Sequence, residues 1–153
     1  MELKDLYREV ILDHNRSPRN FGRLEPADAA ADGHNALCGD RLHLTLRLAG
    51  DKLDALRFEG QGCAISVASA SLMSEAVTGL DRAQFEALYQ DVHQLLTDPD
   101  HVPARDLGKL MALAGVREFP ARVKCASLCW RTLHSALHPE MHSGAGHAPV
   151  STE

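Results

Sequence analysis

No stretch of this sequence is apolar for long enough to cross a membrane. A spanning helix needs about 20 such residues, and charged side chains interrupt every run before that. Basic residues are in the minority, 16 Lys and Arg against 21 Asp and Glu, for a formal charge of −5. With no basic face evident to neutralise phosphates, nucleic acid is excluded as the main partner. The opening Met1-Glu2-Leu3-Lys4-Asp5-Leu6 carries charges where a secretion signal needs an apolar core. No internal repeat is present, and no local motif sets a base beside a cysteine as a Cys–His hydrolase requires. These absences predict a cytoplasmic protein with neither membrane nor nucleic acid as partner. Cysteines there stay reduced and serve as ligands or nucleophiles more often than as disulfides.

What the chain does have is enough apolar residue for a core without staples: 153 residues, 44% hydrophobic and 24% charged. Residues 1–138 are expected to form a single domain. Beyond Pro139 the composition turns to Gly, Ser, Ala and His, which predicts a frayed, flexible tail over 139–153.

Leu3, Leu6, Tyr7, Val10 and Ile11 recur on one helical face. That opening helix should fail near Asn15, ahead of Ser17-Pro18. Residues 16–35, with Pro18, Gly22, Pro26 and Gly33, read as a long irregular connection. From Arg41 the pattern alternates strictly, Leu42, Leu44, Leu46 and Leu48 on one side, Arg41, His43, Thr45 and Arg47 on the other. A turn at Gly50-Asp51 and a second strand over 53–59 complete a hairpin covered on one face only. Gly60 and Gly62 bracket a short return, a candidate third strand.

Helices follow. Residues 64–78 are dense in Ala and Ser, which permits close packing, and Gly79 ends them. Phe85, Leu88, Tyr89, Val92, Leu95 and Leu96 mark a second helix with Asp81 as N-cap. A short helix through Leu107, Leu110 and Met111 closes at Gly115, and a last one runs from Pro120 to Leu137. The fold class predicted is α+β, a small antiparallel sheet with helices packed on one face.

Three cysteines stand in distinctive settings: Leu37-Cys38-Gly39-Asp40, Gly60-Gln61-Gly62-Cys63 and Arg122-Val123-Lys124-Cys125. Their spacing cannot bring them together locally, so if they act together the fold must gather them. Cys63 and Cys125 are expected at helix N-termini, where free amides and the helix dipole favour a thiolate. With Asp40 they make a plausible tetrahedral zinc set, since thiolates select zinc or iron–sulfur species. Structural zinc sites usually take Cys and His, so the carboxylate suggests a site built to exchange a ligand.

The segments Cys38-Gly39-Asp40-Arg41, Phe58-Glu59-Gly60-Gln61-Gly62-Cys63-Ala64-Ile65-Ser66 and Phe119-Pro120-Ala121-Arg122-Val123-Lys124-Cys125-Ala126 resemble the U-type (NifU/IscU-like) iron–sulfur cluster assembly family, more narrowly its SufU branch. Leu6 to His14 and Pro18-Arg19-Asn20 fit the same family, so the resemblance covers nearly the whole chain before the tail. It implies a zinc-dependent sulfurtransferase that takes persulfide sulfur from a SufS-type cysteine desulfurase and passes it to a downstream iron–sulfur assembly scaffold. Carried over, Cys38, Asp40, Cys63 and Cys125 bind zinc, a desulfurase side chain displaces Cys38, and Cys38 accepts the sulfur. Arg122 orients the site or its partner. The alternative is a scaffold that builds an iron–sulfur cluster on the same thiolates. Scaffold relatives carry a His where Lys124 stands and lack an extra segment, placed here between Leu96 and Gly115; both differences favour sulfur transfer.

Other candidates receive blander readings. Cys129, one helical turn after Cys125, reads as a packed core thiol. His34 reads as a solvated loop residue, His43 as polar-face, and Glu75 and Glu86 as solvated carboxylates. Trp130 reads as a helix anchor against the sheet. His138, His142 and His147 lie in or near the tail and receive no role.

Overall fold

A computed structural model describes residues 3–36, 38–103, 106–138 and 150–151. Its elements in order are α1 (Leu3–Arg16), β1 (Ala29–Asn35), β2 (Asp40–Ala49), β3 (Lys52–Gln61), α2 (Ala64–Val77), α3 (Arg82–Thr97), a 3-10 helix (Gly108–Glu118), α4 (Pro120–Leu137) and β4 (Val150–Ser151). The sheet runs β3-β2-β1-β4, antiparallel except for the short β1–β4 pairing. The predicted α+β architecture holds.

Alternation in β2 points Leu42, Leu44 and Leu46 at the helices, where all three are buried. Leu48 departs from that expectation and is 37% exposed. The strand pairing slips between Arg47 and Leu48, and such a bulge re-aims the side chains beyond it. The candidate third strand after Gly60 is simply the continuation of β3, which pairs with β2 as far as Gln61↔Arg41.

The segment expected to be irregular over 16–35 is largely ordered. The Asn20 carbonyl accepts from the Phe58 amide, and the Gly22 amide donates to the Phe58 carbonyl, so residues 20–22 cover the free edge of β3. The chain then crosses the outer face of the sheet. The Leu24 amide donates to Thr45 Oγ1 at 2.9 Å, and Arg47 donates to the carbonyls of Glu25 and Pro26. Thr45, on the nominally solvent side, is therefore 4% exposed, and the hairpin is not bare on that face. Residues 29–35 then pair along β2 as β1. Alternation in Ala-Ala-Ala-Asp-Gly-His-Asn is too faint to announce a strand.

Helix α2 lies at the centre, with nine buried residues that include Ser66, Ser69, Ser71 and Ser74. Its hydroxyls tie it to its neighbours: Ser69 donates to the Ala126 carbonyl of α4 at 2.7 Å, and Ser71 Oγ meets His14 Nδ1 of α1 at 2.7 Å. Satisfied in this way, buried hydroxyls cost little and fix the helix in register. Helix α3 begins with a full capping box between Asp81 and Gln84.

Three further expectations are revised. The short helix is a 3-10 segment that runs past Gly115 to Glu118. Trp130 donates from Nε1 to Ser69 Oγ of α2 at 3.3 Å and borders Tyr89, Val92 and Leu96 of α3, so it locks helix to helix. Val150–Ser151 pair with Gly33 and His34 of β1, so at these two residues the chain is strand where fraying was expected. The remainder of the expected tail, including His142 and His147, lies outside the described residues. No helix among the described residues is long and apolar enough to cross a membrane.

Candidate metal centre

One end of the sheet gathers the cysteines. Asn35 and Asp40 face each other as the closing pair of β1 and β2. The connection between them carries Cys38 and turns at Gly39, whose φ of 70° suits glycine. Cys63 sits at the junction of β3 and α2, as the N-cap of that helix. Cys125 arrives from above on α4, which packs closely on β1: a Cβ at Gly33 would run into Thr132 Oγ1 and within 3.1 Å of Leu128.

Cys38 Sγ, a carboxylate oxygen of Asp40 and Cys125 Sγ all lie within 4.8 Å of one another. Cys63 is bound to the same group through its backbone, its amide donating to Asp40 Oδ1 at 3.0 Å. The glycine before it makes that approach feasible, since a Cβ at Gly62 would sit 2.5 Å from Asp40 Oδ1. The donor atoms of three of the four sequence-predicted ligand residues thus converge, and Cys63 adjoins them through its amide.

Asp40 is fully buried, and among the described residues no Lys, Arg or His forms a salt bridge with it. Asn35, also fully buried, donates through Nδ2 to Asp40 Oδ2 at 3.4 Å and to Cys125 Sγ at 3.6 Å. Sequence reasoning missed Asn35, because a lone polar residue at the end of a polar segment carries no periodic signal. A buried carboxylate beside converging sulfurs is costly unless a cation is shared among them. The donor set of thiolates and carboxylate fits a zinc-class ion.

Of the two thiols expected at helix N-termini, Cys63 is there, but Cys125 is in the second turn of α4, which starts at Pro120. Burial pushes the Cys125 thiol well up, and its neighbours Cys38, Asp40 and Cys63 add to the effect. Its Sγ lies 3.7 Å from the Ala121 carbonyl. Arg122 is exposed and its guanidinium donates towards Cys38 Sγ at 4.0 Å, with its own pKa raised chiefly by Cys63. Cys38 and Cys63 are partly exposed, whereas Cys125 is buried.

Cys129 is a core thiol, as expected: it is 2% exposed, and burial pushes its pKa up to about 12. His34 lies on β1, not in a loop, and His43 pairs with Asp32 at 2.7 Å. Glu75 is half-exposed with one oxygen 3.7 Å from buried His14, and Glu86 is not a simple solvated carboxylate, since it pairs with His134 and His138. Beside the cysteine cluster runs an apolar groove of about 640 Å³, bordered by Tyr7, Ile11, Leu12, Ile65, Phe119 and Arg122. Leu12 and Phe119 are 43% and 59% exposed.

Comparison with known proteins agrees with this architecture. Residues 6–126 match the family model described as NifU-like N terminal domain. The chain is 41% identical over 138 residues to the zinc-dependent sulfurtransferase SufU of Bacillus subtilis (strain 168), covering 90% of this chain and 93% of that protein. It is 35% identical over 136 residues to the iron-sulfur cluster assembly scaffold protein IscU of Streptococcus pyogenes serotype M1, covering 89% of this chain and 85% of that protein. The crystal structure of FiSufU from Fervidobacterium islandicum AW-1 superposes with a TM-score of 0.80 at 32% identity, over 89% of this chain and 99% of that one. The gathered cysteines, the fold and these likenesses agree, and the chain belongs to the NifU-like, U-type family of iron–sulfur cluster assembly proteins.

Proposed function

We propose that this protein is a zinc-dependent sulfur acceptor, with Cys38 receiving sulfur from the persulfide of a SufS-type cysteine desulfurase. The observation that carries the reading is a difference in exposure within one donor cluster. Asp40 and Cys125 are fully buried, while Cys38 and Cys63 are partly exposed, and of those two Cys38 stands on a turn whereas Cys63 is fixed at the N-cap of α2. A group held so unequally can release one sulfur and keep the others. Its relationship to a sulfurtransferase at 41% identity supports the same reading.

When bound, zinc supplies the charge that keeps neighbouring thiols as thiolates. The ligand residues are Cys38, Asp40, Cys63 and Cys125. Asp40 is oriented by Asn35 and by the Cys63 amide. In the transfer, the Cys38 thiolate attacks the outer sulfur of the partner's persulfide. A new S–S bond forms at Cys38, the partner's S–S bond breaks, and the partner cysteine leaves as thiolate, so that no external oxidant or reductant is consumed. Arg122 sets a positive charge beside the reacting sulfurs and favours the approach of an anionic persulfide. The apolar groove next to Arg122, with Leu12 and Phe119 exposed, supplies area for the partner to hold its loop in place.

Mass spectrometry after incubation with the desulfurase and cysteine tests the assignment: the wild-type chain gains sulfur on the peptide that contains Cys38, and Cys38→Ala gains none. Sulfur uptake by Cys38→Ala would overturn it. A second reading, a cluster scaffold, has support from the relative named as one at 35% identity. Lys124 in place of a histidine before Cys125 counts against it.

A further inference from the structure

We propose that Glu86, His134 and His138 form a second metal site, which takes a zinc-class divalent ion and clamps α3 to the last turn of α4. His134 and His138 are spaced i, i+4, so both rings project from one face of the helix. Glu86 reaches them from α3. Its Oε2 lies 3.1 Å from His134 Nε2 and 3.4 Å from His138 Nε2, and the three donor atoms lie within 4.8 Å of one another. Tetrahedral zinc with bonds of about 2.0–2.1 Å holds its ligands about 3.3–3.4 Å apart. The two separations from Glu86 are already close to that value.

The surroundings are built rather than incidental. Gln90 donates to Glu86 Oε1 at 3.2 Å, which turns Oε2 towards the histidines. The His134 ring is stacked on Tyr89, with centroids 4.6 Å apart and planes 27° apart. Oriented ligands of this kind are what outer partners provide in metal sites. Glu86 Oε2 is buried and accepts no hydrogen bond among the described residues, despite its closeness to two ring nitrogens. Glu86 Oε2 stands between both rings, where one cation would be shared by all three atoms. The negative end of the α4 dipole adds to the attraction for a cation. Side-chain exposures of 13% and 16% for the histidines leave a route for solvent to a fourth position. Imidazole and carboxylate donors favour zinc-class ions over magnesium or calcium. Along α4 this cluster stands about 14 Å from Cys125, so it binds independently of the cysteine site.

Titration of the zinc-loaded full chain with further Zn²⁺, followed by calorimetry, tests the inference. A second equivalent is expected, weakened at least tenfold in Glu86→Gln and in His138→Gln while the first is unchanged. Both variants keep side-chain size and spare the His134–Tyr89 stack, and their metal-free unfolding midpoints should match the parent. With Co²⁺, the first equivalent should show thiolate-to-metal charge-transfer absorption and the second should not. A stoichiometry of one, or a second equivalent that survives both substitutions, would overturn the site. So would one that is lost in His142→Gln/His147→Gln while remaining intact in Glu86→Gln.

Discussion

At the scale of single residues, the cysteine cluster includes a buried side chain outside the proposed ligand set. Asn35 is fully buried and bridges Asp40 and Cys125. Replacing such an outer partner typically costs about 10–100-fold in metal affinity. Asn35→Leu should therefore release zinc to a chromophoric chelator at correspondingly lower chelator concentration, with near-native circular dichroism; unchanged competition would show that the amide does not orient the ligands. His14 makes a prediction about pH. Burial, assisted by Arg19 and Lys109, depresses its pKa below 6.5 despite the opposing pull of Glu75 and Asp13. The unfolded chain then binds a proton that the folded chain refuses, so this contribution to stability is intact above about pH 6.5 and is lost as pH falls below it. The urea midpoint should drop between pH 7 and pH 5, and less steeply in His14→Gln. Equal slopes in the two proteins would remove His14 as the cause.

At the scale of elements, the close packing of α4 on β1 sets where Cys125 stands. Gly33→Ala drives a methyl group into Thr132 and Leu128, an overpacking that costs about 1–3 kcal/mol. Equilibrium unfolding should register that loss, together with weakened zinc retention as α4 is pushed from the sheet; wild-type stability would mean that the two elements yield without cost. The same scale shows what could be read in advance. Strong periodicity announced α1, α3, the β2–β3 hairpin and α4, and Asp81 announced the start of α3. Strand β1 was hidden because Ala and Gly carry no alternating contrast, and the cover laid over Thr45 depends on backbone hydrogen bonds that sequence does not display. Among the candidate site residues, Cys38, Asp40, Cys63 and Cys125 were legible through their motifs; the structure clusters the donor atoms of Cys38, Asp40 and Cys125 and sets the Cys63 amide on Asp40. The second-turn position of Cys125 follows from the helix start at Pro120, but Asn35 and the Glu86–His134–His138 cluster were not legible. Each arises from contacts between elements remote in sequence, and no local pattern encodes those.

At the scale of the whole molecule, the hydrophobic core is separate from the cysteine cluster. Leu44, Leu46, Met73, Leu113 and Leu133 are fully buried in that core, and none belongs to the proposed ligand set. The chain should therefore stay folded when zinc is stripped, which lets loss of metal and loss of structure be distinguished. That separation makes the decisive measurement a clean one: the rate of cysteine turnover by a SufS-type desulfurase with this protein added zinc-loaded, metal-stripped or as Cys38→Ala. The account predicts strong acceleration by the zinc-loaded protein and little by the other two. Equal turnover in all three, with a cluster forming on the protein when iron and sulfide are supplied, would contradict it.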